Sequence, residues 1–215
     1  MDITEFYTSL PSPTLNRNKY ETASHVLSLG YKIISGADAY KSPLSVPVKK
    51  FIMENREVIM LPNIFKDTVV GYLLRTIHTK SFRYIYEYPI PYGAGVNDKP
   101  YMYPWIIVES CLDADFLRKF YPFVIATLGV SVSNFLMDFL FNTAPYIIVG
   151  FDNDEAGNKA YKSMNYKHHG KVLRLDVPFG NKDFGDTLEN LQNQNFSQYE
   201  LESAYIKTAI QNIVG

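Results

Sequence analysis

The sequence predicts an α/β protein in which a small β-rich segment precedes a mostly parallel sheet with helices on both faces. Segments typical of strands and helices alternate from about residue 105 onward. Before them, residues 57–88 carry runs rich in β-branched and aromatic side chains. The 215-residue chain is 47% hydrophobic and 15% aromatic, which is enough to bury the core of one or two domains.

The first half of the chain predicts two segments. Residues 1–55 form a helical and irregular segment, with a Ser/Pro-containing lead and a short helix expected at 20–29. Residues 56–100 form a basic, β-rich subdomain whose runs are typical of a small antiparallel sheet. Its strands are expected at 58–61, 68–76 and 81–88.

The second half predicts repeated strand–helix units over 101–190 and a helical tail over 191–215. Strands are expected at 105–109, 123–128, 146–151 and 171–177. Helices are expected at 113–120, 132–141, 155–166, 186–192 and 197–213. Units of this kind produce a mostly parallel sheet, whose ligands bind beyond the carboxyl ends of the strands.

Charge and cysteine content exclude several classes. Residues 1–100 hold 12 Lys and Arg against 9 Asp and Glu, whereas residues 101–215 hold 9 Lys and Arg against 13 Asp and Glu. A weakly basic first half is therefore joined to an acidic second half. No apolar run is long enough to cross a bilayer, so we expect a cytoplasmic protein without a membrane partner. The single cysteine, Cys111, allows neither an internal disulfide nor a cysteine-based zinc cluster.

Acidic residues follow successive predicted strands. Glu109 ends the first of them, Asp152 and Asp154 follow the third, and Asp183 and Asp186 follow the fourth. Clustered carboxylates repel one another, and a hard divalent cation with oxygen ligands neutralises them. Any one acid is more simply explained as a helix cap or a turn residue, as for Asp113 and Asp186. Their recurrence at strand ends favours a metal site.

Four motifs in this order resemble the Toprim domain of DnaG-type primases, topoisomerases and several nucleases. They are VESCLDA at 108–114, ATLGVS at 126–131, FDNDEAG at 151–157 and KDFGD at 182–186. The chain departs from the family at Ser110, where the family usually has glycine. Because serine lacks the conformational freedom of glycine, we expect it to reshape the turn that presents Glu109.

The segment ahead of these motifs distinguishes among Toprim proteins. VIMLP at 58–62, VVGY at 69–72 and the pair Arg83-Tyr84 resemble the basic subdomain that precedes Toprim in DnaG-type primases. The resemblance implies a DNA primase catalytic core that synthesises RNA primers in DNA replication by nucleotidyl transfer. Small Toprim ribonucleases usually open directly with the glutamate strand, which this chain does not.

The resemblance also implies roles for individual residues. Glu109, Asp152 and Asp154 are expected to be catalytic and to bind two or more magnesium or manganese ions, with Asp183 and Asp186 as further metal or nucleotide-positioning groups. Positive charge for template or NTP phosphates is expected from four residues: Arg75, Lys80, Arg83 and Lys182. Taken singly, the cations of the β-rich subdomain equally fit a solvated strand face.

The expected partners follow from what the motifs lack. The chain has no Cys/His cluster for a zinc module and no phosphate-binding loop of a helicase motor. The resemblance implies single-stranded DNA and NTPs as ligands. We expect a replicative helicase, a separate zinc-binding subunit or the N-terminal segment of this chain to supply template recognition. The shortness of the chain favours a phage or mobile-element origin. Two other hypotheses stay open: a metal-dependent Toprim nuclease, and a non-catalytic Toprim module that binds nucleic acid or a protein.

Overall fold

A computed structural model describes residues 1–11, 31–65, 67–77, 81–86, 92–94, 103–129, 132–168, 170–193 and 195–215. The chain divides into two compact units, Met1–Ile90 and Pro91–Gly215. The helix predicted at 20–29 and Lys80 lie outside the described residues. None of the described helices combines the length and the apolar character that a membrane span needs.

The first unit contains a four-stranded antiparallel sheet with strand order β1-β2-β3-β4. Its strands are β1 (Lys32–Ser35), β2 (Glu57–Phe65), β3 (Thr68–Thr76) and β4 (Phe82–Tyr86), and its described helices are α1 (Ile3–Ser9), α2 (Gly36–Lys41) and α3 (Val46–Asn55). Strand β1 was not expected from the sequence. It has only four residues, and its pairing with β2, from Lys32 opposite Met60 to Ser35 opposite Glu57, is what establishes it.

One hydrophobic core joins the helices of this unit to its sheet. Phe6 of α1, Ile52 of α3 and Leu74 of β3 are all buried in the same cluster. Burial of such side chains is the main favourable contribution to folding. The described parts of residues 1–90, from the predicted segments 1–55 and 56–100, therefore share one core, whereas residues 92–94 belong to the second unit.

The second unit contains a four-stranded, fully parallel sheet with strand order β6-β5-β7-β8. Its strands are β5 (Trp105–Val108), β6 (Val124–Ala126), β7 (Ile147–Val149) and β8 (Val172–Arg174). Its described helices are α4 (Cys111–Leu117), α5 (Asn134–Thr143), α6 (Glu155–Lys167), α7 (Phe184–Gln192) and α8 (Phe196–Val214). The predicted fold class, a helix-flanked parallel sheet with a separate small antiparallel sheet, is confirmed.

The register of the parallel sheet decides which loops meet. Strands β5 and β7 are neighbours, with Ile107 opposite Val149. The amide of Gly150 then donates to the carbonyl of Ile107 at 2.9 Å, which continues the ladder beyond β7. The residues that follow β5 and β7 therefore emerge side by side at the carboxyl edge of the sheet.

Helix α4 begins at Cys111, two residues before the start expected from the sequence. Ser110 is its N-cap, and the Ser110 hydroxyl accepts a hydrogen bond from the amide of Asp113 at 3.2 Å. Ser110 has φ −112° and ψ 153°, an extended conformation that any residue adopts. Serine therefore occupies this turn without strain and supplies a cap that glycine lacks.

Candidate metal centre

Glu109 and Asp152 come together although 43 residues separate them in the chain. Glu109 directly follows β5, and Asp152 lies in the loop between β7 and α6. The Asp152 amide donates a hydrogen bond to Glu109 Oε1 at 3.1 Å. The pairing of β5 with β7 thus fixes the Glu109 carboxylate against the backbone of the second acidic run.

Asp154 is the N-cap of helix α6, and its Oδ1 accepts a hydrogen bond from the amide of Gly157 at 2.9 Å. Gly157 is itself pressed against the site. A Cβ at this position would lie 2.3 Å from the Asp152 carbonyl oxygen and 2.9 Å from Glu109 Oε1. Position 157 therefore accepts only glycine if Glu109 and Asp152 keep this geometry.

Lys182 connects the third acidic run to the second. Its Nζ lies 3.2 Å from Asp152 Oδ2 and 3.7 Å from Asp154 Oδ2. The Asn153 amide also donates to the Lys182 carbonyl at 2.7 Å, so the two loops are joined through backbone as well as charge. The Lys182 side chain is 61% exposed, which leaves it free to rotate toward solvent.

Asp183 and Asp186 form a turn at the start of α7. The Asp186 amide donates to Asp183 Oδ1 at 3.0 Å, and the Lys182 amide donates to Asp186 Oδ2 at 2.6 Å. Burial raises the pKa of Asp183, and the neighbouring Asp186 and Asp152 carboxylates raise it further. One oxygen of each carboxylate thus accepts a local hydrogen bond, as the cap or turn interpretation expects. The charges of Asp183 and Asp186 also contribute to the electrostatics of the site.

Asp113 belongs to this network, and sequence reasoning treated it only as a helix cap. It is 3% exposed, its Oδ2 accepts a hydrogen bond from the Ser110 hydroxyl at 2.7 Å, and its Oδ1 accepts one from the Gly185 amide at 2.8 Å. Burial is the largest cause of its raised pKa, followed by the Asp183 carboxylate. Asp113 therefore holds the KDFGD loop against helix α4. No sequence signal points to this contact, because 72 residues separate its partners.

Arg174 is a second residue that sequence reasoning missed. It ends strand β8, its side chain is 13% exposed, and its guanidinium lies 5.4 Å from the centre of the Tyr161 ring. Its Nη2 donates to the Phe151 carbonyl at 2.9 Å. Arg174 therefore supports the backbone that leads into Asp152.

Charge accumulates at the carboxyl edge of the sheet. Burial raises the pKa of Glu109 to about 7, and the Asp152 carboxylate adds to this rise. Burial also raises the pKa of Asp152, while the Lys182 ammonium opposes the change. A further positive charge at this edge would stabilise the ionised carboxylates.

The residues fit a divalent cation by their chemistry. Carboxylate oxygens are hard ligands of the kind that Mg²⁺ and Mn²⁺ prefer, and the Lys182 ammonium already occupies a cationic position between Asp152 and Asp154. Among the described residues, no group of three or more His, Cys, Asp or Glu side chains is arranged ready to hold a metal ion. Cation binding would therefore require the carboxylates to rotate and Lys182 to yield its place.

Two of the three cations predicted in the β-rich subdomain, Arg75 and Arg83, lie within strands. Arg75 on β3 is 3% exposed, so a phosphate would reach it only if surrounding side chains moved. Arg83 on β4 is half-buried, with its guanidinium 5.9 Å from the centre of the Phe51 ring. Lys80 lies outside the described residues. Their contact with phosphates stays a prediction.

Comparison with known proteins places this site in a family context. Residues 106–188 match the Toprim-like family model. The E. coli primase catalytic core is 17% identical, with a TM-score of 0.57 over 99% of this chain and 83% of that chain. A DnaG primase catalytic domain bound to single-stranded DNA is 18% identical, with a TM-score of 0.58 over 93% of this chain and 78% of that one.

The primase fragment of the bacteriophage T7 primase-helicase protein is 17% identical, with a TM-score of 0.50 over 83% of this chain and 69% of that one. The search of curated proteins found no match. Residues 106–188 of the chain are thus Toprim-like, and the fold of the chain resembles that of DnaG-type primase catalytic cores.

Proposed function

We propose that this protein is a DNA primase catalytic core that synthesises RNA primers on single-stranded DNA. One observation carries the proposal: the likeness to the E. coli primase core extends over 99% of the chain and not only over the Toprim-like residues 106–188. The Toprim domain alone is compatible with several chemistries. The antiparallel unit ahead of it makes synthesis a better explanation than cleavage.

Glu109, Asp152 and Asp154 are the proposed ligands of two or more Mg²⁺ or Mn²⁺ ions, with Asp183 and Asp186 as further ligands or nucleotide-positioning groups. Such ions neutralise charge on the phosphates of an incoming NTP and on the departing pyrophosphate. Lys182, which is paired with Asp152 and Asp154, would be free to turn to a nucleotide phosphate if a cation took its place. The lysine thus serves as an internal counter-ion before substrate binds.

In the proposed reaction a primer 3′-hydroxyl attacks the α-phosphorus of an NTP, a new P–O bond forms and pyrophosphate leaves. The hydroxyl must lose a proton, and Glu109, in an alternative to its role as a metal ligand, is the residue we assign to accept it. A base is most effective when its pKa lies near the working pH. Burial raises the pKa of Glu109 to about 7 in the metal-free site, which suits that role as long as no cation binds Glu109 itself.

Template and partner contacts complete the proposal. Arg75, Lys80 and Arg83 supply positive charge for template or NTP phosphates in the antiparallel unit, with Arg75 uncovered by movement of its neighbours. The T7 relative is a fragment of a primase-helicase protein, and an Aquifex aeolicus relative includes a zinc-binding domain. A replicative helicase or a zinc-binding subunit is therefore the partner we propose.

The decisive experiment measures primer synthesis from NTPs on single-stranded DNA with Mg²⁺ or Mn²⁺. We expect Asp152→Ala and Glu109→Gln to lower the rate at least about 100-fold, because each removes charge stabilisation from the reacting centre. Glu200→Gln, an exposed glutamate on α8, is the matched control and should retain full activity. Equal synthesis by wild type and both site variants would sink the assignment.

The pairing of Lys182 with Asp152 and Asp154 is the observation that favours the competing non-catalytic module. Titration calorimetry with MgCl₂ and MnCl₂, with and without NTP, distinguishes the two. The primase proposal expects metal binding that strengthens with NTP. Absence of binding under all four conditions would favour the module, and metal-dependent cleavage of labelled DNA without NTPs would favour a nuclease.

A further inference from the structure

Phe179 lies in a turn that aromatic residues rarely occupy. The Asn181 amide donates to the Pro178 carbonyl at 3.0 Å, and the two central residues, Phe179 and Gly180, have φ values of +29° and +79°. Turns with positive φ at both central positions favour Asn, Asp and Gly. A bulky side chain at the first of them is strained, and such strain persists mainly at functional sites.

The strained side chain does not serve the core. Phe179 is 63% exposed, and its ring lies 5.3 Å from that of Tyr205 on α8, with 55° between the ring planes. Tyr205 is itself 38% exposed. The two rings therefore present aromatic surface to solvent, and burial of the Phe179 side chain does not offset its backbone strain.

Phe179 is close in the chain to the carboxylate site. Lys182, whose Nζ contacts Asp152 and Asp154, is only three residues after Phe179. Three residues span at most about 11 Å even when fully extended, and the turn shortens that distance. A nucleic acid whose phosphates approach Lys182 would therefore carry its bases within reach of the rings.

We propose that Phe179 and Tyr205 form a stacking platform for the bases of single-stranded nucleic acid that passes the carboxylate site. Aromatic rings stack on any base, so the platform would be tolerant of sequence. A free nucleotide is a poorer fit, because small ligands need enclosing walls and these rings are open. A strand held by its phosphates at Lys182 brings its next bases to the rings at high local concentration. This inference rests on the proposed function.

The test measures binding of a fluorescein-labelled oligo(dT) of about 15 nucleotides to the full chain by fluorescence anisotropy. We expect Phe179→Asn and Tyr205→Ala each to weaken binding by about fivefold or more, which is the range for loss of one stacked base. Phe179→Trp should bind the oligonucleotide with an affinity equal to or greater than that of wild type. Tyr166→Ala is the control, since Tyr166 is 79% exposed at the far end of α6 from Asp154.

Phe179→Asn also separates binding from folding, because asparagine tolerates positive φ. We expect its thermal midpoint to equal or exceed that of wild type while its DNA affinity falls.

Unchanged DNA affinity in both Phe179→Asn and Tyr205→Ala, or a change in self-association without a change in DNA affinity, would overturn the proposal of a stacking platform. If the wild-type protein makes primers but the two variants bind DNA with wild-type affinity, only this inference fails. If the wild-type protein makes no primers but its DNA affinity still depends on Phe179, only the primase proposal fails.

Discussion

The two units of the molecule place their charged residues in different ways. In the parallel unit the acidic residues follow strands or begin helices, and Asp152 contacts both Glu109 and Lys182 at one edge of the sheet. In the antiparallel unit the two described candidate cations lie inside strands, where Arg75 is buried and Arg83 is half-buried. A parallel sheet gathers its strand ends whatever the loop sequences are, whereas exposure within an antiparallel strand depends on what packs against each face.

The difference explains why the same kind of sequence evidence carries unequal weight in the two units. A carboxylate after a parallel strand has a predictable neighbourhood, because strand order and register bring it to the edge. An arginine in an antiparallel strand has two faces available, and only packing decides whether it meets solvent. Three predictions sharpen this comparison, each with a measurement that could break it.

The largest effect is expected from Gly157→Ala. The new Cβ would lie 2.3 Å from the Asp152 carbonyl, so the loop must move, at a cost of about 3 kcal/mol in the free energy of unfolding. Gly36→Ala in the antiparallel unit is the matched control, because a Cβ there meets nothing closer than 3.9 Å. Urea unfolding followed by circular dichroism compares them. Equal stability of the two variants would show that the carboxylate edge is not tightly packed.

An intermediate effect is expected from the arginines of the antiparallel unit. Arg75→Ala removes a buried side chain and should lower the free energy of unfolding by about 2 kcal/mol. Arg83→Ala, at a half-buried position, should cost about 0.5 kcal/mol. Thermal unfolding of both variants against wild type provides the measurement. The reverse order would mean that Arg75 is held at a cost to stability, as a binding residue would be.

The smallest effect concerns Glu109 and pH. Its pKa rises from 4.5 to about 7 on folding, so the folded state keeps a proton that the unfolded state releases. Stability from this group is fully present below about pH 4.5 and is lost as pH rises to about 7. The whole shift corresponds to about 3 kcal/mol, but solvent screens a half-buried carboxyl, and we expect about 1 kcal/mol.

Glu109→Gln keeps an oxygen for the Asp152 amide and removes the titration. In EDTA the stability of the variant relative to wild type should therefore increase as pH rises from 5 to 8. Urea unfolding at pH 5 and at pH 8 measures this increase. Saturating Mg²⁺ at pH 8 should make wild type more stable than Glu109→Gln, because the Glu109 carboxylate binds the cation better than the glutamine amide does. A stability difference that does not vary with pH would contradict the burial of the Glu109 charge.

Several features of the site were predictable from sequence and others were not. The acids after β5 and β7 were found because apolar strand residues lead directly into Glu109 and toward Asp152. The hydrogen bond from Gly185 to Asp113 and the support that Arg174 gives to Phe151 were missed, because both join residues far apart in the chain. Strand β1 was missed because four residues carry too little pattern until β2 pairs with them.

The sequence alone determined the fold class, the alternation of strands with helices and the identity of the acidic runs, since these follow from periodicity and residue type within short windows. Only the tertiary structure decided that Glu109 faces the Asp152 backbone, that Lys182 lies between two aspartates and that Phe179 projects into solvent. The physical reason is common to all three. Pairing, burial and charge depend on neighbours that the folded chain brings together, and local sequence does not contain those neighbours.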